Sequence, residues 1–186
     1  MPTALSHAFT GALLAPLAPT AVRPAKAALL LAALAVAPDL DVVGFWLGVS
    51  YSHPLGHRGL SHSLPAAAAA GWLLSRAAFP ELAQRRRDRT GMALLLFVAM
   101  GSHGLLDAAT DGGRGIGLLL PFSERRFFLP WRPLPVSPLE PAAFFGPRGL
   151  AVLRAEAWWL GVPGVAVGIA AVLARRRRAA PPRSAP

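Results

Sequence analysis

The sequence predicts an all-α fold, an integral membrane bundle of about five transmembrane helices with a proline-rich irregular segment before the last. Three observations predict it. Of the 186 residues 54% are hydrophobic and only 15% charged, with a mean hydropathy of +0.45, whereas a soluble domain carries about a quarter charged residues. Apolar stretches rich in Ala and Leu recur at lengths near the roughly 17 to 25 residues that cross a bilayer as helix. No stretch alternates with the period of two that marks a half-buried strand. The same composition excludes intrinsic disorder. With no cysteine, a disulfide framework and thiolate metal sites are excluded as well.

The apolar stretches fall at residues 4–20, 27–49, 64–79, 92–110 and 157–174. The first lacks the basic residues that open a secretory signal, and His7 sits where the apolar core of such a signal would begin, so a retained helix is expected. The second is interrupted by Pro38. Residues 112–149 hold seven prolines, a density that blocks helix interior and sheet ladder alike. This segment reads as an irregular cover with Phe122, Phe127, Phe128 and Trp131 at the membrane interface, serving either as a functional lid or as a plain linker. Residues 1–174 form one membrane-embedded helical domain, and residues 175–186 a basic, Pro-containing tail.

Charge position carries more information than the formal net charge of +10. The joins after the first and third helices and the tail together hold twelve basic and two acidic residues, including Arg23, Lys26, Arg85, Arg86, Arg87, Arg89 and Arg175 to Arg178. The remaining seven arginines are matched by seven acids. If five helices alternate in direction, all three basic segments share one side, which the positive-inside rule makes cytoplasmic. Nucleic-acid binding is not expected, because the basic residues adjoin apolar spans. Membrane lipids are the expected partners, with the arginine runs suited to anionic headgroups.

Ionisable groups inside apolar helices are costly. His7 lies in the first helix, Asp39 and Asp41 at the Pro38 break of the second, and His103 and Asp107 in the fourth. His7, Asp39 and His103 each stand about 12 to 13 positions, or roughly 18 to 20 Å of helix, from the basic end, so they meet at one depth. His103 and Asp107 are four apart and share a helix face, which Asp111 would continue. An imidazole and a carboxylate on one face make half of a site for zinc or another first-row divalent ion such as manganese; a plain hydrogen-bonded pair is the alternative. Asp39 and Asp41 would repel each other in an apolar setting unless a cation or proton lies between them. If the helix has already ended, both acids simply face water. His57-Arg58-Gly59-Leu60-Ser61-His62-Ser63 is the most specific local signal. Two imidazoles and a guanidinium project from a tight turn, and Ser61 or Ser63 is placed to cap the next helix. The guanidinium fork suits phosphate or carboxylate oxygens. His53 is expected to be a bystander.

Pro38-Asp39-Leu40-Asp41, the His57 to Ser63 run, His103-Gly104-Leu105-Leu106-Asp107-Ala108-Ala109-Thr110 and Leu120-Pro121-Phe122 together resemble the YdjM/DUF457 family, described as membrane-bound metal-dependent hydrolases. The resemblance spans about residues 1 to 145. The order of His, Asp, His and His-x-x-x-Asp is more distantly similar to zinc-dependent phospholipase C and P1-type nucleases. Carried over by position, this implies metal ligands at His7, Asp39, His57 or His62, His103 and Asp107. No histidine follows His103, so a one- or two-metal site is the most the resemblance implies. The expectation is a metal-dependent hydrolase of phosphoesters in a prokaryotic inner membrane, acting on a phospholipid-like or other membrane-associated substrate. Asp41 or Asp111 would serve as general base and Arg58 would stabilise transition-state charge. Rival readings are an ion or proton transporter using the same acids and histidines, and a structural membrane protein whose polar groups merely pair.

Overall fold

The computed structural model describes residues 1–138 and 140–179. It is all-helical among these residues, with no strands and only two isolated bridges, Thr110 with Leu134 and Ile116 with Phe127. In chain order the helices are α1 (Ala4–Ala12), α2 (Pro24–Val36), α3 (Val43–Trp46), α4 (Leu64–Ala77), α5 (Arg86–Ala108), α6 (Pro141–Phe144), α7 (Pro147–Glu156) and α8 (Val162–Ala179).

Three continuous helical runs are long and apolar enough to cross a membrane: Pro24–Trp46, Arg86–Ala108 and Pro147–Arg177. The stretches at 4–20 and 64–79 fold into shorter pieces. α1 gives way to a 3₁₀ turn at Ala15–Leu17, where Pro16 has no N–H to continue the ladder. α4 has 14 residues, about 21 Å of helix against roughly 30 Å of hydrocarbon. The interruption at Pro38 takes the form of a tightening into a 3₁₀ turn, Ala37–Val42, that carries both aspartates and runs on into α3. The last helix also starts earlier and ends later than its apolar core. α7 and α8 are joined by a π-helical turn at Ala157–Gly161, just before Pro163, whose ring would clash with a carbonyl one turn back in a regular helix. The helix continues through Arg175 to Ala179, so the first residues of the expected tail are helical. Residues 180–186, with Arg183, lie outside the described residues.

Close helix contacts use glycine. A Cβ at Gly11 of α1 would strike the Leu31 carbonyl of α2, and one at Gly71 of α4 the Ala93 carbonyl of α5. The apolar core, with Leu31, Leu34, Phe79, Leu82, Met92 and Leu96, lies between α1, α2, α4 and α5. The basic joins gather beyond it at one end of the bundle. There Lys26 Nζ meets Glu81 Oε1 at 2.9 Å, and the Arg175 guanidinium donates to the Ala18 carbonyl at 2.8 Å. The Lys26 ammonium holds the Glu81 carboxyl below its ordinary range.

At the other end the proline-rich segment wraps across the helix termini. Leu129 N–H donates to the Ala108 carbonyl, Gly117 N–H to Arg58, and Ser137 N–H to Met1. Of the aromatics expected at the interface, Phe122 and Trp131 are well exposed. The long last helix is anchored here by Glu156, which is buried. Its carboxylate accepts from Thr3 N–H and Thr3 Oγ1, each at 2.6 Å, and from Ser6 Oγ at 2.7 Å. These groups lie at the N-terminus of α1, where the helix dipole also favours a negative charge. From Ala157 to Arg177 no residue of that helix is fully buried.

Candidate metal centre

Four side chains from three parts of the chain converge under the proline-rich cover. Asp39 comes from the 3₁₀ turn, His62 from the short 3₁₀ turn Leu60–His62, and His103 and Asp107 from successive turns of α5. One ligand atom from each lies within 4.8 Å of the other three. His103 Nε2 is 3.1 Å from His62 Nε2 and 3.3 Å from Asp39 Oδ1. His62 Nε2 is 3.6 Å from Asp39 Oδ1 and 3.7 Å from Asp107 Oδ2. Tetrahedral coordination at about 2.0–2.1 Å places neighbouring ligand atoms about 3.3–3.4 Å apart, and these separations bracket that value.

Neighbouring groups fix the ring tautomers. His103 Nδ1 lies 2.7 Å from the Ala35 carbonyl, which can only accept, so Nδ1 carries the proton and Nε2 is bare. His62 Nδ1 lies 3.1 Å from Asp41 Oδ2, so that nitrogen carries a proton too. The two Nε2 atoms face each other at 3.1 Å, a separation at which either a proton on His62 or a bound cation can lie between them. Burial opposes charge on His62, but the adjacent Asp39 and Asp41 carboxylates outweigh it and raise the ring to about 9. A metal ion held here would have to displace a proton from that ring. The oxygens of Asp39 and of Asp107 are buried with no well-aligned hydrogen bond; their neighbours are the ring nitrogen of His103, 3.3 Å from Asp39 Oδ1, and the charged Arg58, 3.2 Å from Asp107 Oδ2.

Of the expected ligands, Asp39, His62, His103 and Asp107 are thus brought together. His7, fully buried on α1, stacks on the His103 ring with centroids 3.7 Å apart, and its Nε2 is 3.5 Å from Asp107 Oδ1. Neither ring nitrogen of His7 has a hydrogen-bond partner. Between the alternatives His57 and His62, the structure places His62 among the four. His57 pairs through Nδ1 with Asp41 Oδ1 at 2.7 Å, too short an edge for two ligands of one tetrahedral ion. His57, Asp41 and His62 form a second grouping of ligand atoms, and its hydrogen-bonded geometry is that of an outer layer that orients His62.

The residues expected to do chemistry are spread over different surroundings. Asp41 accepts from His57, from Ser61 Oγ at 2.6 Å and from Arg58 N–H at 3.2 Å, so its oxygens are engaged. Asp111 is exposed and accepts from Val136 N–H at 2.9 Å, away from the four. Arg58 is buried, with Nε 3.2 Å from Asp107 Oδ2 and Nη1 donating to the Gly112 carbonyl at 2.8 Å. Its backbone is left-handed, φ 62°. His53 is exposed, and its Nδ1 accepts from Leu55 N–H.

Two supporting residues were not among the expected site residues. Arg126 spans the carbonyls of Tyr51, His57, Arg58 and Gly115 at 3.2–3.4 Å and so ties the His57 to Ser63 turn to the cover. Thr110 is fully buried and donates to the Asp107 carbonyl. It follows the His-x-x-x-Asp motif directly, which is the one pattern that pointed toward it.

A bundle with three span-length helices and a buried His/Asp cluster that could bind a metal ion defines a helical membrane protein. The profile of the YdjM inner membrane protein family matches residues 1–179, and the chain belongs to that family. It is 36% identical over 168 residues to the inner membrane protein YbcI of Escherichia coli strain K12, covering 89% of this chain and 94% of that one. No solved structure matches.

Proposed function

We propose that the chain is a membrane-bound metal-dependent hydrolase of phosphoesters, with one divalent ion, zinc by ligand type, held by Asp39, His62, His103 and Asp107. The observation that supports this most is the convergence of two imidazole Nε2 atoms, 3.1 Å apart, with two buried carboxylates, one ligand atom from each of the four residues lying within 4.8 Å of the others. A bound divalent ion would acidify a coordinated water and polarise the scissile bond. Arg58, beside Asp107, would hold the negative charge that develops on the phosphoryl oxygens. Asp39 is the one of the four with an exposed part, 10% of its side chain, so water and substrate would approach past it, and its second oxygen would take the proton. Asp41 orients His57 and His62 in this reading, and Asp111 stands outside the chemistry. α1 and α4 insert alongside the three long helices, giving five spans with the basic end in the cytoplasm. The cluster then lies toward the outer headgroups, which makes a phospholipid-like substrate the natural choice.

The test is metal analysis of the purified protein beside His103→Ala and Asp39→Ala, with turnover of a phosphoester panel. Wild type is expected to hold about one equivalent of metal and each variant much less. A metal-free wild type under non-chelating conditions would overturn the site. Bound metal without turnover of any phosphoester would overturn the hydrolase and favour a cation-handling role.

A further inference from the structure

Along one side of the crossing between α1 and α8 runs an apolar groove of about 560 Å³, within the range of about 300–1,000 Å³ that holds small ligands. Its floor is made by small residues. Gly168 of α8 leaves the space into which Leu13 leans, and Ala12 stands beside it. The walls are Phe9, Val165, Ile169 and Val172. Val165, Gly168, Ile169, Val172 and Arg176 recur every three or four residues and form one stripe of α8. From Val165 to Arg176 the stripe is about 16 Å long at the helical rise. That is about half of the roughly 30 Å hydrocarbon core, the depth of one leaflet.

Arg176 closes the groove at the basic end of the bundle. Its neighbour Arg175 turns inward onto the Pro16 and Ala18 carbonyls. Arg176 has no carboxylate within ion-pair distance among the described residues, and residues 178–186 contain no acid. An apolar channel one leaflet long that ends on an unpaired guanidinium, in a region rich in arginine, is complementary to a single amphiphile. We infer that the groove binds one anionic phospholipid, its acyl chain lying between α1 and α8 and its phosphate on Arg176. This site is at the opposite end of the bundle from the His/Asp cluster and does not depend on the function proposed for that cluster. The lipid would supply packing for α8, which the rest of the chain leaves unburied.

Native mass spectrometry of the full chain, released from bilayers of mixed phosphatidylglycerol and phosphatidylcholine, tests this. Wild type should retain one lipid, preferentially phosphatidylglycerol. Arg176→Gln should lower that preference roughly fivefold. Val172→Trp, which fills the groove from a half-exposed position, should lose the retained lipid, while Arg177→Gln should behave as wild type. Retention of no lipid by wild type would overturn the inference. So would equal loss of preference in Arg176→Gln and Arg177→Gln, which would mark diffuse attraction to the arginine run, or undiminished retention in Val172→Trp.

Discussion

Arg58 combines a left-handed backbone, which costs a non-glycine residue about 1–3 kcal/mol, with a buried guanidinium. The strain is held because each part of the residue is used: N–H on Asp41, carbonyl on Gly117, side chain on Asp107 and Gly112. Arg58→Gly would relieve the backbone and remove the charge. Its metal content should stay near wild type while phosphoester turnover falls by about 100-fold or more, as when one charge-stabilising donor is lost; equal loss of metal would reassign Arg58 to site assembly. Asp41→Asn should weaken metal binding by about 10- to 100-fold, because His62 loses its orienting carboxylate. Competition against a chelator measures this, and unchanged affinity would remove Asp41 from the supporting layer. The sequence made the ionisable members of this centre legible because charges in apolar helices stand out. It left His57 and His62 undivided, since a choice between two rings of one turn depends on which nitrogen faces which acid. Arg126 was invisible, because its partners are backbone carbonyls, which carry no residue identity.

At the level of elements, α5 brings two ligands to the site and leaves room there for a third. A Cβ at Gly104 would strike the His62 carbonyl. Gly104→Ala should therefore lower metal affinity, although the exchange favours an isolated helix by roughly 0.5–1 kcal/mol. Isothermal titration beside thermal unfolding separates the two effects; unchanged affinity would show that the turn before α4 can move aside. Long apolar runs announced α2, α5 and α8, since length and hydropathy are properties of composition. The ends were not announced. α5 begins at Arg86, six residues before its apolar stretch, because an exposed first turn needs no apolar residues. α7 starts within the end of the proline-rich segment, where Pro147 is tolerated in a first helical turn.

Across the whole molecule, the grouping of Lys26, Glu81, Ala18 and Arg175 at one end and of the His/Asp cluster at the other agrees with the uneven charge along the chain. A reporter fused after Arg178 should read as cytoplasmic; an outside reading would invert the proposed orientation. The Lys26–Glu81 pair lowers the Glu81 pKa from its ordinary 4.5. Its stabilisation is therefore present above pH 4.5 and is lost as pH falls through the lowered value. Because both side chains are about one-third exposed, the effect should be small and screened by salt. Thermal unfolding of wild type and Glu81→Gln should differ slightly at pH 7 in low salt and converge once the pH has fallen through the lowered Glu81 pKa. A difference that persists in acid would show that the pair is not its source. Glu156 imposes a different kind of order, one in time. Its donors in Thr3 and Ser6 lie 153 and 150 residues earlier, so during synthesis α1 must remain within reach while nearly all the intervening chain is made. These bonds cannot form before Glu156 has been made, and a chain truncated before it leaves α1 without that clasp.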